Sequence, residues 1–402
     1  MKTLIPPAVA QPAPPAKDNG HGWPVLRLGF RPFYLGTTVF AALAIPFWAL
    51  LFLGQTHWTP VVPALLWHAH EMLFGFAAAV IVGFLMTAGK AWTGLPTPRA
   101  AALGWLITLW LAARIAALAA PYPVYAALDL LLLPVVATIL VRVLLAAGNR
   151  RNLPLAGLLG LLTLANLVFH LSMLGYVSVA PLRPLYAALA LIVLIETVMG
   201  GRVIPAFTMS AIPGLRLNID PRLEKVTALA SVLALMSWVF LPTASLSAPL
   251  LALAAALQLL RLASWKPWST RSRPILWILH LSYAWIPVGF VLLAMSVMGW
   301  IATSAGIHAL AVGATGGLII GMVTRTARGH TGRPLLASPV EVAAYSLIML
   351  AAVLRVAVPL VAPEWLVASV IAAATAWSLA FALYLFRFAP WLVQVRLDGK
   401  DG

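Results

Sequence analysis

"WHAHEMLFGFAAAVIVGFLMTAG", Trp67 to Gly89, decides the fold. Two histidines and a glutamate stand at its mouth, and the remainder is almost wholly apolar. A stretch of this length crosses about 30 Å of hydrocarbon as one helix. Runs of the same kind recur along all 402 residues, of which 62% are hydrophobic and 9% charged. A soluble globular protein carries about 25% charged residues, so this chain cannot cover its surface in water. The expected fold class is all-α, a polytopic membrane helical bundle of about 12 transmembrane helices.

The breaks at Pro, Gly, Asn and charged residues set twelve spans: 33–54, 66–88, 101–120, 123–146, 153–176, 182–208, 226–242, 246–263, 274–299, 302–325, 340–361 and 365–387. The pair within 226–263 is short enough to form a tight hairpin instead. Residues 1–30 read as a flexible N-terminal tail rich in Pro and Ala, without the apolar core of a signal peptide. Residues 31–390 read as a single transmembrane domain and 391–402 as a C-terminal tail. All polar loops are short, so no soluble domain is appended.

The formal net charge is +16, which in a soluble chain points to nucleic acid. Here the loops alternate between basic and neutral. All of the 26 basic residues except Arg114, Arg183 and Arg355 fall on one side. The positive-inside rule makes that side cytoplasmic, with both termini on it. The charge is therefore an orientation signal that also draws the chain to anionic lipid, and no nucleic-acid partner is expected. The absence of cysteine removes disulfides, thiolate-ligated zinc and iron–sulfur clusters.

Ionisable groups inside a bilayer are expensive and mark function. The topology gives each a depth. His68, His70 and Glu71 lie just below the outer face on the second span, His170 near the outer end of the fifth, and His308 near the outer start of the tenth. His57 sits in the loop above them, and His21 in the solvated tail. On a helix each residue turns about 100°, so His68 and His70 point about 160° apart. His68 shares a face with Glu71, Met72 and Gly75, and His70 one with Phe74 and Ala77. The spacing fits two neighbouring sites, or one ligand beside a supporting residue.

A neutral imidazole ligates haem iron or copper and needs its second ring nitrogen held by a partner. On the tenth span Ala309, Gly313, Gly317 and Gly321 form a stripe of small residues. It suits either a macrocycle or the backbone of a packed helix. Arg114 and Asp129 lie at matching depth on adjacent spans and are expected to pair. Glu196 lies near the midplane of the sixth span without an evident partner, as in proton paths. Arg355 has Glu364, Glu71 or a haem propionate as possible partners. His280 and His330 lie on the cytoplasmic side at different depths and could form a second site.

Four strings resemble the NnrS family: "GFRPFYLG" (29–36), "WHAHEMLFGF" (67–76), "GRVIPAFT" (201–208) and "HALAVGATGGLIIGMVTRTARGHTGRPL" (308–335). Within them stand His68, His70, Glu71, His308, Arg325, His330 and Arg333. The resemblance implies a bacterial inner-membrane protein that contains haem b and copper. It implies nitric oxide as the small-molecule ligand, protection against nitrosative stress and an association with denitrification. The candidate haem-binding residues are then His70, His308, His170, Gly313, Gly317 and Arg355. The candidate metal ligands are His68, His70, His308, His170, Glu71 and Met72. No residue is singled out as catalytic.

Three functions compete on the sequence. One is a haem- and copper-binding protein that binds or turns over nitric oxide, with an electron donor as a further partner. Another is a transporter of a small metabolite or metal complex, in which the histidines hold the substrate. The last is a sensor or assembly factor for respiratory enzymes.

Overall fold

The computed structural model describes residues 22–56 and 61–400. Among them, twelve helices are long and apolar enough to cross a membrane. They are α1 (Phe30–Phe52), α2 (Ala64–Thr93), α3 (Ala100–Ala119), α4 (Tyr122–Ala146), α5 (Arg150–Met173) and α6 (Leu182–Ala211). The second half comprises α7 (Pro221–Phe240), α8 (Ala244–Ser264), α9 (Pro274–Val297), α10 (Thr303–His330), α11 (Pro339–Val361) and α12 (Pro363–Leu392). The described residues contain no strand. The short pair foreseen over 226–263 forms two full helices, α7 and α8, packed side by side.

Neighbours in sequence pack on one another, and α12 returns to lie along α1. Most helices therefore present one face to lipid. The exceptions are α2 and α10. In their most apolar stretch 78% and 72% of residues are buried, against 33–61% in the other ten. These two helices carry the histidine motifs, and both lie inside the bundle.

Local chemistry fixes the frame. The guanidinium of Arg31 is buried and donates to the carbonyls of Leu392 (2.9 Å) and Gln394 (2.7 Å). It satisfies carbonyls that the end of α12 leaves free and ties the first helix to the last. At the start of α11, Ser338 and Glu341 form a reciprocal cap. Glu341 also accepts from Arg328 of α10 at 2.6 and 2.5 Å. Gly83 lets α2 approach α1, since a β-carbon there would stand 2.7 Å from that of Phe33.

Both inner helices change pitch at the same point of their motifs. A π-helical stretch runs over Glu71–Ala77 in α2, directly after His70. Another runs over Ala309–Gly316 in α10, directly after His308. Such wide turns are frequent at functional sites. The carbonyl of Gly75, inside the first of them, is taken by the indole N–H of Trp110 at 2.8 Å.

Candidate functional site

α2 and α10 start, and α5 ends, at the end of the bundle whose loops are poor in Lys and Arg. There the four histidines of the helices form two separate pairs, one on each side of α2.

On one side is a closed polar knot. Tyr122, Tyr125 and Asp129 follow one another at three- and four-residue steps on α4, so they share a face. Asn166 and His170 do the same on α5. His70 is fully buried. Its Nε2 lies 2.9 Å from Asn166 Oδ1, and its Nδ1 lies 2.8 Å from the Tyr125 hydroxyl. His170 repeats the pattern: Nε2 is 3.2 Å from Asp129 Oδ2, and Nδ1 is 2.9 Å from the Tyr122 hydroxyl. Asp129 Oδ2 also lies 3.4 Å from His70 Nε2 and accepts from Asn166 Nδ2 at 2.6 Å. Arg114 completes the knot, donating to Glu71 Oε2 at 2.6 Å and to Asp129 Oδ1.

One guanidinium thus faces two carboxylates, and the knot carries a surplus negative charge. His70, Asp129 and His170 form the one group of three metal-ligand-type side chains among the described residues, with ligand atoms within 4.8 Å of one another. Both imidazoles offer Nε2 to the same point while a tyrosine holds Nδ1, which is the support that ligating histidines require. A cavity of about 10 Å³ borders Arg114, Asp129 and Asn166, about the room one water or ion needs.

On the other side of α2 is an apolar cavity of about 300 Å³, at the lower end of the range for ligand sites, about 300–1,000 Å³. Both His68 and His308 line it. Trp48 stacks on His68, ring centroids 4.1 Å apart, and His68 Nδ1 has no hydrogen-bond partner. The His308 Nδ1–H donates to the Ser304 carbonyl at 2.7 Å, which leaves Nε2 unprotonated. The two imidazole planes lie within 12° of parallel with centroids 6.4 Å apart. Arg355 lines the same cavity and reaches Ser304 Oγ at 3.4 Å. No carboxylate lies within ion-pair distance of it among the described residues, so Glu364 and Glu71 are not its partners. A bound anionic group would meet a free guanidinium there.

The remaining candidates are divided between these features. Met72 lines the cavity with His68. Glu71, expected on the face of His68, lies 3.3 Å from His70 and joins the knot. Gly313 and Gly317 face α9. A β-carbon at Gly313 would stand 2.3 Å from the Trp285 ring, and one at Gly317 2.2 Å from Ser282 Oγ. That face is filled by a packed helix. His280 is buried, 3.1 Å from the Leu276 carbonyl, and His330 lies against Phe30. They do not join a metal-ligand group. His21 and His57 lie outside the described residues. Sequence reasoning paired Arg114 with Asp129, as the structure has them, but missed Asp129 as a member of the metal-type group, along with Asn166, Tyr122 and Tyr125. The polar stripe Tyr122–Tyr125–Asp129 on a mostly apolar helix was the signal available.

A twelve-span helical bundle whose interior holds a His–Asp–His group beside an imidazole-lined cavity defines a multi-pass membrane protein with the ligand set of a metal or haem binder. The chain belongs to the NnrS family: the model described as NnrS protein matches residues 24–396, nearly its whole length. Neither a curated protein nor a solved structure matches it.

Proposed function

We propose that this chain is a bacterial inner-membrane protein that binds haem b and copper and binds or turns over nitric oxide. On this reading His68 and His308 hold the haem in the apolar cavity, and His70, His170 and Asp129 hold copper in the knot. The observation that carries it is the pair of near-parallel imidazoles on the cavity wall, one with its Nδ1 unpartnered and the other presenting a free Nε2. The bare wall fits a flat apolar ring, and Arg355 supplies the positive charge that a propionate seeks. The surplus negative charge of the knot fits a borderline divalent cation held by imidazole and carboxylate.

Haem iron, when bound, would supply a store for one electron, and a site for nitric oxide at the position that one of the two imidazoles gives up. The rest falls to the chain. Trp48 braces the His68 ring, Ser304 fixes the tautomer of His308, and hydrocarbon side chains keep water from the cavity. Nitric oxide is small and apolar, so it enters such a cavity from lipid. The knot lies across α2 from the cavity, and an electron donor from the respiratory chain would act through these two centres. The basic-poor end, on the positive-inside rule, faces the periplasm, which puts both sites in the outer leaflet.

The test is an optical spectrum and metal analysis of the purified full chain. A Soret band that shifts under nitric oxide, with iron and copper both present, is expected. A colourless protein free of both metals would overturn the reading in favour of transport.

A further inference from the structure

A second cavity, of about 90 Å³, lies between α1, α2, α6, α9 and α10, closer to the basic-rich end. Its wall is hydrocarbon and thioether except at Tyr34, Glu196 and Thr315. The Tyr34 hydroxyl, Glu196 Oε2 and Thr315 Oγ1 are all buried and make no well-formed hydrogen bond, and Glu196 lies within reach of the Thr315 hydroxyl. Three orphaned polar atoms on one cavity are unusual, since each costs about 1–3 kcal/mol if nothing meets it. The cavity has room for several waters.

Their order along the membrane normal is informative. Tyr34 sits one turn into α1 from the basic-rich end, Glu196 near the middle of α6, and Thr315 near the middle of α10. Thr315 also lines the cavity that holds His68 and His308. The three groups therefore run from the basic-rich side to the floor of that cavity.

The exposed Glu364 at the start of α12 aside, Glu196 also differs from the other carboxylates of the membrane helices. Glu71 and Asp129 pair with Arg114, Glu224 with Arg261, and Glu341 with Arg328. Glu196 makes no ion pair among the described residues, and no Lys, Arg or His lines its cavity. Tyr34 is the only other titratable group on that wall. A carboxyl group kept at the midplane without a cation is suited to carrying a proton rather than to holding helices together.

We propose that Glu196 is the proton-carrying group that serves the first cavity. Its O–H bond breaks as the proton passes to Thr315 Oγ, and the threonine's own proton moves on to a basic ligand or water in that cavity. The carboxylate left behind is reprotonated through bridging water and the Tyr34 hydroxyl, each passing on one proton as it takes the next, the proton being drawn from the aqueous phase at the basic-rich end. The use of the proton rests on the haem reading above; the carrying of it does not.

Two measurements on the full chain in lipid nanodiscs test this separately. In the infrared, near neutral pH, the protein shows a protonated-carboxyl carbonyl band that shifts in D2O and is missing from Glu196→Gln. If no such band is lost in that variant, Glu196 is no proton carrier, whatever metals are bound. In a redox titration, where the electrode supplies the electron, one proton per electron moves the haem potential by about 59 mV for each tenfold change in proton activity. That slope falls to about half or less in Glu196→Gln and in Thr315→Val, and Glu196→Asp restores part of it. Unchanged slopes in both variants overturn the proposal. Protein without haem would sink the reading of the first cavity and leave the infrared result to decide on Glu196.

Discussion

Replacing Asp129 by Asn tests the knot where its charge is decided. The side chain keeps its shape, but the surplus negative charge goes and Arg114 retains only Glu71, 2.6 Å away. Without metal, the loss is that of a charged hydrogen bond in a buried setting, about 1.5–3 kcal/mol. With metal the comparison changes. A ligand at a hundred times its Kd stabilises the folded protein by about 2.7 kcal/mol. A variant lacking one of three ligands forgoes most of that. The gap between the parent and Asp129→Asn should therefore widen to roughly 4–6 kcal/mol when Cu(II) is added. Denaturant titration in micelles, with and without copper, reads both gaps. His280→Ala, remote from the knot, should keep the full copper effect. If the gap is the same with and without copper, Asp129 belongs to a structural ion pair and not to a metal centre.

The division into two sites predicts that His68→Ala and His308→Ala lose the Soret band, while His170→Ala keeps it and loses copper. Equal loss of both metals in every variant would contradict it. Arg114→Met strands Glu71 and Asp129 together and should destabilise by about 3–5 kcal/mol. A double-mutant cycle of Arg114→Met with Asp129→Leu should give a coupling of about 1–3 kcal/mol, and additive effects would refute the pairing. Gly313→Val drives a side chain into Trp285 and should cost about 1–3 kcal/mol. Gly160→Ala, where a β-carbon meets nothing within 4 Å, should be neutral or better in the same unfolding assay.

The fold was legible because a bilayer demands long apolar runs and punishes anything else. The span predicted at 101–120 is displaced by one residue from α3, and that at 340–361 differs from α11 by one residue at its start. The depth of each histidine followed from span order alone. Their azimuth was harder. A turn of about 100° per residue correctly sent His68 and His70 to different sides of α2, yet could not say which neighbour waits on each. Glu71 shows the reason: a glutamate is long enough to reach either way, and its position in a π turn is invisible to an α-helical wheel. The stripe Gly313–Gly317 shows the converse. Small residues announce a close approach but not what approaches, and here it is Trp285 and Ser282.

The π turn of α2 explains how a single helix can wall both cavities. His68 and Met72 line the first, and Val80, Ile81 and Phe84 the second. In an unbroken α-helix Phe84 would stand about 160° round from His68. The one residue a π turn absorbs sets this back by about 100°, so the two positions come within about 60° of each other. The wide turn persists because its loosened carbonyl, that of Gly75, has Trp110 to accept from, and because Gly75 carries no side chain. A β-carbon there would stand 2.7 Å from Arg114 Nη1. The residues that set the pitch of α2 are thus those that close the knot. Geometry at the His70 site and the alignment of the two cavities are consequences of one local distortion, which the motif around Gly75 builds into the sequence.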